Sequence, residues 1–162
     1  MLIYESTTTN FDNLGLGSLM PSKCIVTEEL NGQYSLSMSH PIDEDGKWEK
    51  IQQDRILKVQ THDGDQLFRL YKPVKNSRSG TIEVSALHIF YDLADNLIED
   101  TRPTIKDGQD AGDIILGGCQ YSTPFTFSSD ITGVTTAYYI RKNPVEAFIG
   151  SEDQAFISRW GG

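Results

Sequence analysis

The chain has 162 residues, the size of one domain or one and a half small ones, and its 38% hydrophobic and 23% charged residues are ordinary for a soluble globular protein. Its 14 lysines and arginines against 23 aspartates and glutamates leave a formal net charge of −9, with the basic residues scattered, which excludes the basic patch that nucleic-acid binding needs. No apolar run approaches the ~18 residues of a membrane helix, no secretion signal opens the chain, and Cys24 and Cys119 read as two separate buried thiols of a reducing compartment, so synthesis and folding are expected in the cytoplasm.

Hairpin signals dominate the first 90 residues. Ser22 to Leu30 reads as a strand, Asn31-Gly32 as a tight turn with both positions at positive φ, and Gln33 to His40 as the returning strand. In that return Tyr34, Leu36, Met38 and His40 alternate with Ser35, Ser37 and Ser39, a period of two that places one face in a core and one in water. Pro41 and the acidic loop Asp43-Glu44-Asp45-Gly46 follow. Asp54 to Thr61 and Gln66 to Lys72 form a second hairpin around His62-Asp63-Gly64-Asp65, with Pro73 marking an edge or a bend. Thr81 to Ala86 adds a strand in which Ile82, Val84 and Ala86 share a face. Strands this short and closely spaced belong to a small barrel or sandwich.

The character changes at Leu87. His88 to Asn96 suits a short helix, and Asp100-Thr101-Arg102-Pro103 reads as a connector into a second unit. Asp110 to Leu116 reads as a helix stopped at Gly117-Gly118, residues suited to a left-handed cap. Phe125 to Phe127 is expected as a strand. Asn143-Pro144 starts another helix, with Asn at the cap and Pro in the first turn, and Gly150 stops it. Phe156 to Gly162 opens an apolar segment that reads as part of something longer.

Chemistry-bearing patterns are sparse. His40, His62 and His88 fit no metal-ligand spacing, and no catalytic, cofactor-binding or metal residue is assigned. The acidic loop lacks the alternating oxygen ligands of a calcium loop, and Glu49 comes too early to close one. Gly15-Leu16-Gly17-Ser18 lacks the third glycine and the following helix of a phosphate loop, so a turn is expected. Cys24, in an apolar strand, reads as an inert buried thiol.

From Glu29-Leu30-Asn31-Gly32-Gln33-Tyr34 onward the sequence resembles phage minor structural proteins, also called prophage tail endopeptidase or tail-associated lysin proteins. The resemblance continues through Asp54-Arg55-Ile56-Leu57-Lys58-Val59, Gln66-Leu67-Phe68-Arg69-Leu70 and Val84-Ser85-Ala86-Leu87-His88, then Tyr91-Asp92-Leu93 and Arg159-Trp160-Gly161-Gly162. The pieces lie in the family's order, with 101–142 the least distinctive part. The resemblance implies the baseplate-hub region of a siphophage or prophage tail tip, where a β-barrel from each of three subunits helps build a ring that closes the tail tube. It also implies a homotrimer, located in the virion, with a distal tail protein and the tape-measure protein as neighbours. Fibre or cell-wall-degrading domains would follow downstream, and any endopeptidase activity would reside there.

The fold expected is mainly β (α+β): a small β-barrel hub domain with short helices over 1–97, then part of a second α+β domain over 98–162. The function expected is structural, without enzyme activity, cofactor, membrane contact or specific nucleic-acid binding. Two alternatives stand beside it. One is a cell-wall peptidase or hydrolase domain, which needs a histidine or cysteine gathered with carboxylates in a cleft. The other is a carbohydrate- or receptor-binding module, which an exposed row of Tyr121, Tyr138 and Tyr139 would favour.

Overall fold

The computed structural model describes residues 1–161, so Gly162, the end of the Trp-Gly-Gly stretch, lies outside the described residues. The chain is mainly β with a few short helices and divides into two compact units, Met1–Ile89 and Phe90–Gly162.

The first unit is a seven-stranded antiparallel sheet. Its strands are β1 (Leu2–Tyr4), β2 (Gly17–Ser18), β3 (Lys23–Glu28), β4 (Tyr34–Pro41), β5 (Ile56–Thr61), β6 (Gly64–Asn76) and β7 (Thr81–His88), in the order β2-β1-β5-β6-β7-β4-β3. The alternation of β4 does what its period requires: Leu36, Met38 and His40 are buried, and Ser37 is exposed on the other face. Ile82, Val84 and Ala86 of β7 join the same core, with Phe68 and Leu70 of β6, Leu57 and Val59 of β5, and Ile3 of β1. Pro73 falls inside β6 and not at its end. β5 reaches only as far as Arg69, so β6 is paired on one side alone at Pro73, the setting that tolerates a proline. A bulge between Leu70 and Lys72 leaves Tyr71 half-exposed.

Strands β2 and β3 occupy opposite edges of the sheet, yet only residues 19–22 separate them in sequence. A flat sheet of seven strands would hold its edges about 29 Å apart, at ~4.8 Å per spacing. The strap from Ser18 to Lys23 spans at most ~18 Å when fully extended. The sheet is therefore strongly curled. The strap is fastened at both ends: Leu19 N–H donates to Met1 O, and Ser22 N–H to Ser39 O.

Two local expectations are corrected here. The first hairpin turns through three residues, since Glu29 N–H donates to Gln33 O, and of Asn31 and Gly32 only Asn31 takes positive φ. Cys24 is exposed and not buried. By register it shares the inward face of β3 with Val26, which packs on the core, but it lies on the sheet's last strand, where no further strand covers it.

The second unit is built around β8 (Ile98–Thr101) paired with β9 (Tyr139–Lys142), and helices α1 (Gly108–Gly117), α2 (Pro144–Ile149) and α3 (Phe156–Trp160). A 3₁₀ helix, Ile89–Asp95, precedes them. Ile98, Ala111, Ile115, Tyr139, Ala147, Phe148, Phe156 and Trp160 form the core. Asp107 caps α1 by accepting Asp110 N–H, and Asn143 caps α2 by accepting Glu146 N–H, as its sequence promises. The left-handed cap expected at Gly117-Gly118 is absent. Gly118 has φ −82°, and its N–H is shared between Ile114 O and Ile115 O. Glycine is required there for space, because a Cβ would stand 2.0 Å from Thr101 Oγ1.

Phe125 to Phe127 forms no strand. Segment 120–134 crosses α1 in irregular form, and the Gln109 side chain supplies what a strand partner would. Its amide Nε2–H donates to Phe127 O and its Oε1 accepts Ser129 N–H. The crossing depends on two glycines one helical turn apart: a Cβ on Gly112 would lie 2.0 Å from the Phe127 ring, and one on Gly108 would lie 2.8 Å from Ile131 Cβ.

Candidate functional site

The three histidines have three different settings. His40 is wholly buried; its Nδ1 lies 2.8 Å from Pro41 O, which can only accept, so Nδ1 carries the proton and Nε2 accepts Met20 N–H at 3.4 Å. It thus holds the strap across the curled sheet. His88 ends β7, stacked on Tyr34 at 4.7 Å and edge-on to Phe68 at 5.5 Å, with Nε2 3.0 Å from Gln66 Oε1. His62 sits exposed in the two-residue turn between β5 and β6, its Nε2 3.0 Å from Asp63 Oδ2.

Glu28, the last residue of β3, joins His62 and Asp63. One ligand atom from each of the three lies within 4.8 Å of the others, and this is the one such group of histidine, cysteine or acidic residues among the described residues. Sequence spacing gives no hint of it, because Glu28 is 34 positions from His62; the curl of the sheet brings them together. Among the described residues the acidic loop forms no such group: Asp45 pairs with Lys47 at 3.1 Å, and one buried oxygen of Asp43 has no hydrogen-bond partner there. Gly15-Leu16-Gly17-Ser18 is a turn running back along β1, where Gly15 at φ +55° lies so close to Ile3 O that a Cβ would come within 2.5 Å.

The tyrosines do not form a row. Tyr121 and Tyr138 are exposed, but Tyr139 is 1% exposed in the core of the second unit. Its hydroxyl is buried without a hydrogen-bond partner among the described residues, and burial pushes its pKa from the ordinary 10 up to about 12, with the charge of Arg159 acting against the shift. Beside Tyr138 a shallow groove of about 320 Å³ is lined by Arg102, Thr104, Thr136, Ala137 and Ile140. Arg102 grips Asp100 through two hydrogen bonds of 2.7 and 2.9 Å and holds that carboxyl below the usual carboxylate range. A second cavity of about 400 Å³ is apolar, walled by Phe90, Leu93, Leu116, Phe127, Phe148 and Phe156.

Tyr139 gives a testable pH dependence. The folded chain keeps the phenol proton to about pH 12 and the unfolded chain releases it near 10, so its contribution is complete below pH 10 and is lost as pH rises between the two values. Tyr139→Phe should remove this alkaline loss in urea midpoints taken across that range. At neutral pH it should raise stability by about 1 kcal/mol, because an unsatisfied buried hydroxyl disappears.

No family model matches the chain, and no curated protein or solved structure does. No helix among the described residues is long and apolar enough to cross a membrane.

Proposed function

We propose that the chain is a structural component of a siphophage or prophage tail tip, the baseplate hub. Three copies would form a ring that closes the tail tube and carries downstream host-wall-interacting domains. The observation that carries this reading is the curled antiparallel sheet, whose opposite edges are joined by the four-residue strap 19–22. A sheet curled in this way supports the small β-barrel that the resemblance implies, although its strand order does not close. It is followed by a second, helix-bearing unit, the order that the resemblance to phage minor structural proteins implies. Glu29 to Tyr34, where that resemblance begins, links two strands of this sheet, and Phe68 sits in its core. The net charge of −9 suits a ring around a DNA exit path, which must not grip phosphates. Partners are a distal tail protein and the tape-measure protein, and the site of action is the virion tail tip.

Light scattering over a concentration series, with negative-stain images of the full-length protein, tests the reading. Three chains per particle and ring-shaped images are the expected outcome. A chain that stays monomeric at every concentration, alongside a full-length protein that forms no rings, would overturn it. Release of soluble fragments from purified peptidoglycan by this chain alone would make it a cell-wall hydrolase instead.

A further inference from the structure

We infer that Glu28, His62 and Asp63 form a binding site for one divalent transition-metal ion, with Zn²⁺ the best fit, that ties the edge strand of the curled sheet to the turn of the β5–β6 hairpin. The group offers one imidazole nitrogen and two carboxylate oxygens, all within 4.8 Å of one another. Tetrahedral zinc with bonds of about 2.0–2.2 Å needs ligand atoms roughly 3.3–3.6 Å apart. His62 Nε2 and Asp63 Oδ2 lie 3.0 Å apart, an ion-pair contact slightly shorter than that spacing which the ion would replace, and Glu28 closes in from within 4.8 Å by rotation of exposed side chains. Among the described residues no lysine or arginine neutralises Glu28, so its charge is available to a cation. Solvent supplies water for the fourth position. The donor set selects the metal: calcium wants six to eight oxygens and magnesium an oxygen octahedron, whereas imidazole with carboxylates suits zinc and its neighbours.

The site's place in the fold gives the ion a mechanical role. Glu28 ends the edge strand β3, and His62-Asp63 form the turn of the β5–β6 hairpin. In the sheet β3 and β5 are separated by β6, β7 and β4, and no ladder joins them directly among the described residues. An ion held by both would link the edge strand β3 to the β5–β6 turn, which no strand ladder among the described residues joins directly. The strap 19–22, fastened by His40, does the same between Ser18 and Lys23. This inference stands apart from the tail-tip reading, since it concerns the sheet alone.

The test is calorimetric titration of the chelator-stripped chain with ZnCl₂, paired with the absorption spectrum of the Co²⁺ form and thermal melts with and without Zn²⁺. One Zn²⁺ per chain is expected, with a raised Tm and a Co²⁺ spectrum of low coordination number, and no comparable response to Ca²⁺ or Mg²⁺. His62→Ala and Glu28→Gln, both at exposed positions, should each weaken Zn²⁺ binding by at least about tenfold. Absence of saturable Zn²⁺ binding overturns the inference, and so does binding that both variants leave unchanged.

Discussion

Phe68→Ala is expected to lower the stability of the protein by about 3–5 kcal/mol, read as a shift of the urea midpoint at unchanged slope. Phe68 is 0% exposed on β6, the fourth of seven strands in the sheet, where no edge can relax to fill a hole. Its ring meets Tyr34 edge-on at 5.3 Å and His88 at 5.5 Å, so truncation removes contacts with two aromatic neighbours as well as its own buried area. A domain is stable by only about 5–15 kcal/mol, so one substitution removes a large share. Phe68→Leu keeps much of the volume and should cost well under half as much. Equal losses from the two variants would mean that the site collapses around the gap and that Phe68 is not the keystone of the curled sheet.

The first unit was largely legible because its information is local. Alternating serines and apolar residues in β4, the shared face of Ile82, Val84 and Ala86, and the presence of a turn at His62-Asp63 each follow from a few adjacent residues, though Gly64 and Asp65, expected in that turn, already pair as the start of β6. β1 and β2 escaped because they are three and two residues long, too short to show a period. β1 pairs with β5 and β2 only with β1, next to a strap that is held by a buried histidine 20 residues away from Met20. Cys24 illustrates the limit of pattern. Its parity points inward, but parity does not reveal that β3 is the last strand of the sheet.

The second unit was less legible for the same reason taken further. The Asn143-Pro144 start is a local signal, and it holds. Phe125 to Phe127 has the composition of a strand, but a side-chain amide, Gln109, takes the place of the ladder. β8 and β9 lie almost 40 residues apart, without a hairpin turn between them to announce the pairing. The candidate metal group is the extreme case. Glu28 and the His62-Asp63 pair become neighbours only after a sheet of seven strands has curled, and no spacing rule for metal ligands anticipates that.

Gly112→Ala is expected to destabilise the second unit even though alanine is the better helix former. In the middle of a helix that exchange ordinarily gains about 0.5–1 kcal/mol. Here the new methyl would lie 2.0 Å from the Phe127 ring, a separation no relaxed contact allows, so the ring or α1 must move. Phe127 is not free to swing aside, since it stacks on Phe148 at 5.3 Å and meets Phe156 edge-on at 5.2 Å. Overpacking of this kind costs about 1–3 kcal/mol, occasionally more, and the upper part of that range outweighs the propensity gain. A net loss of about 1–2 kcal/mol in the denaturation midpoint is the expected result. The decisive comparison is made in a Phe127→Ala background, where the obstacle is gone and Gly112→Ala should become neutral or stabilising by up to about 1 kcal/mol. A loss of the same size in both backgrounds would show that Gly112 is required for some reason other than the close approach of Phe127.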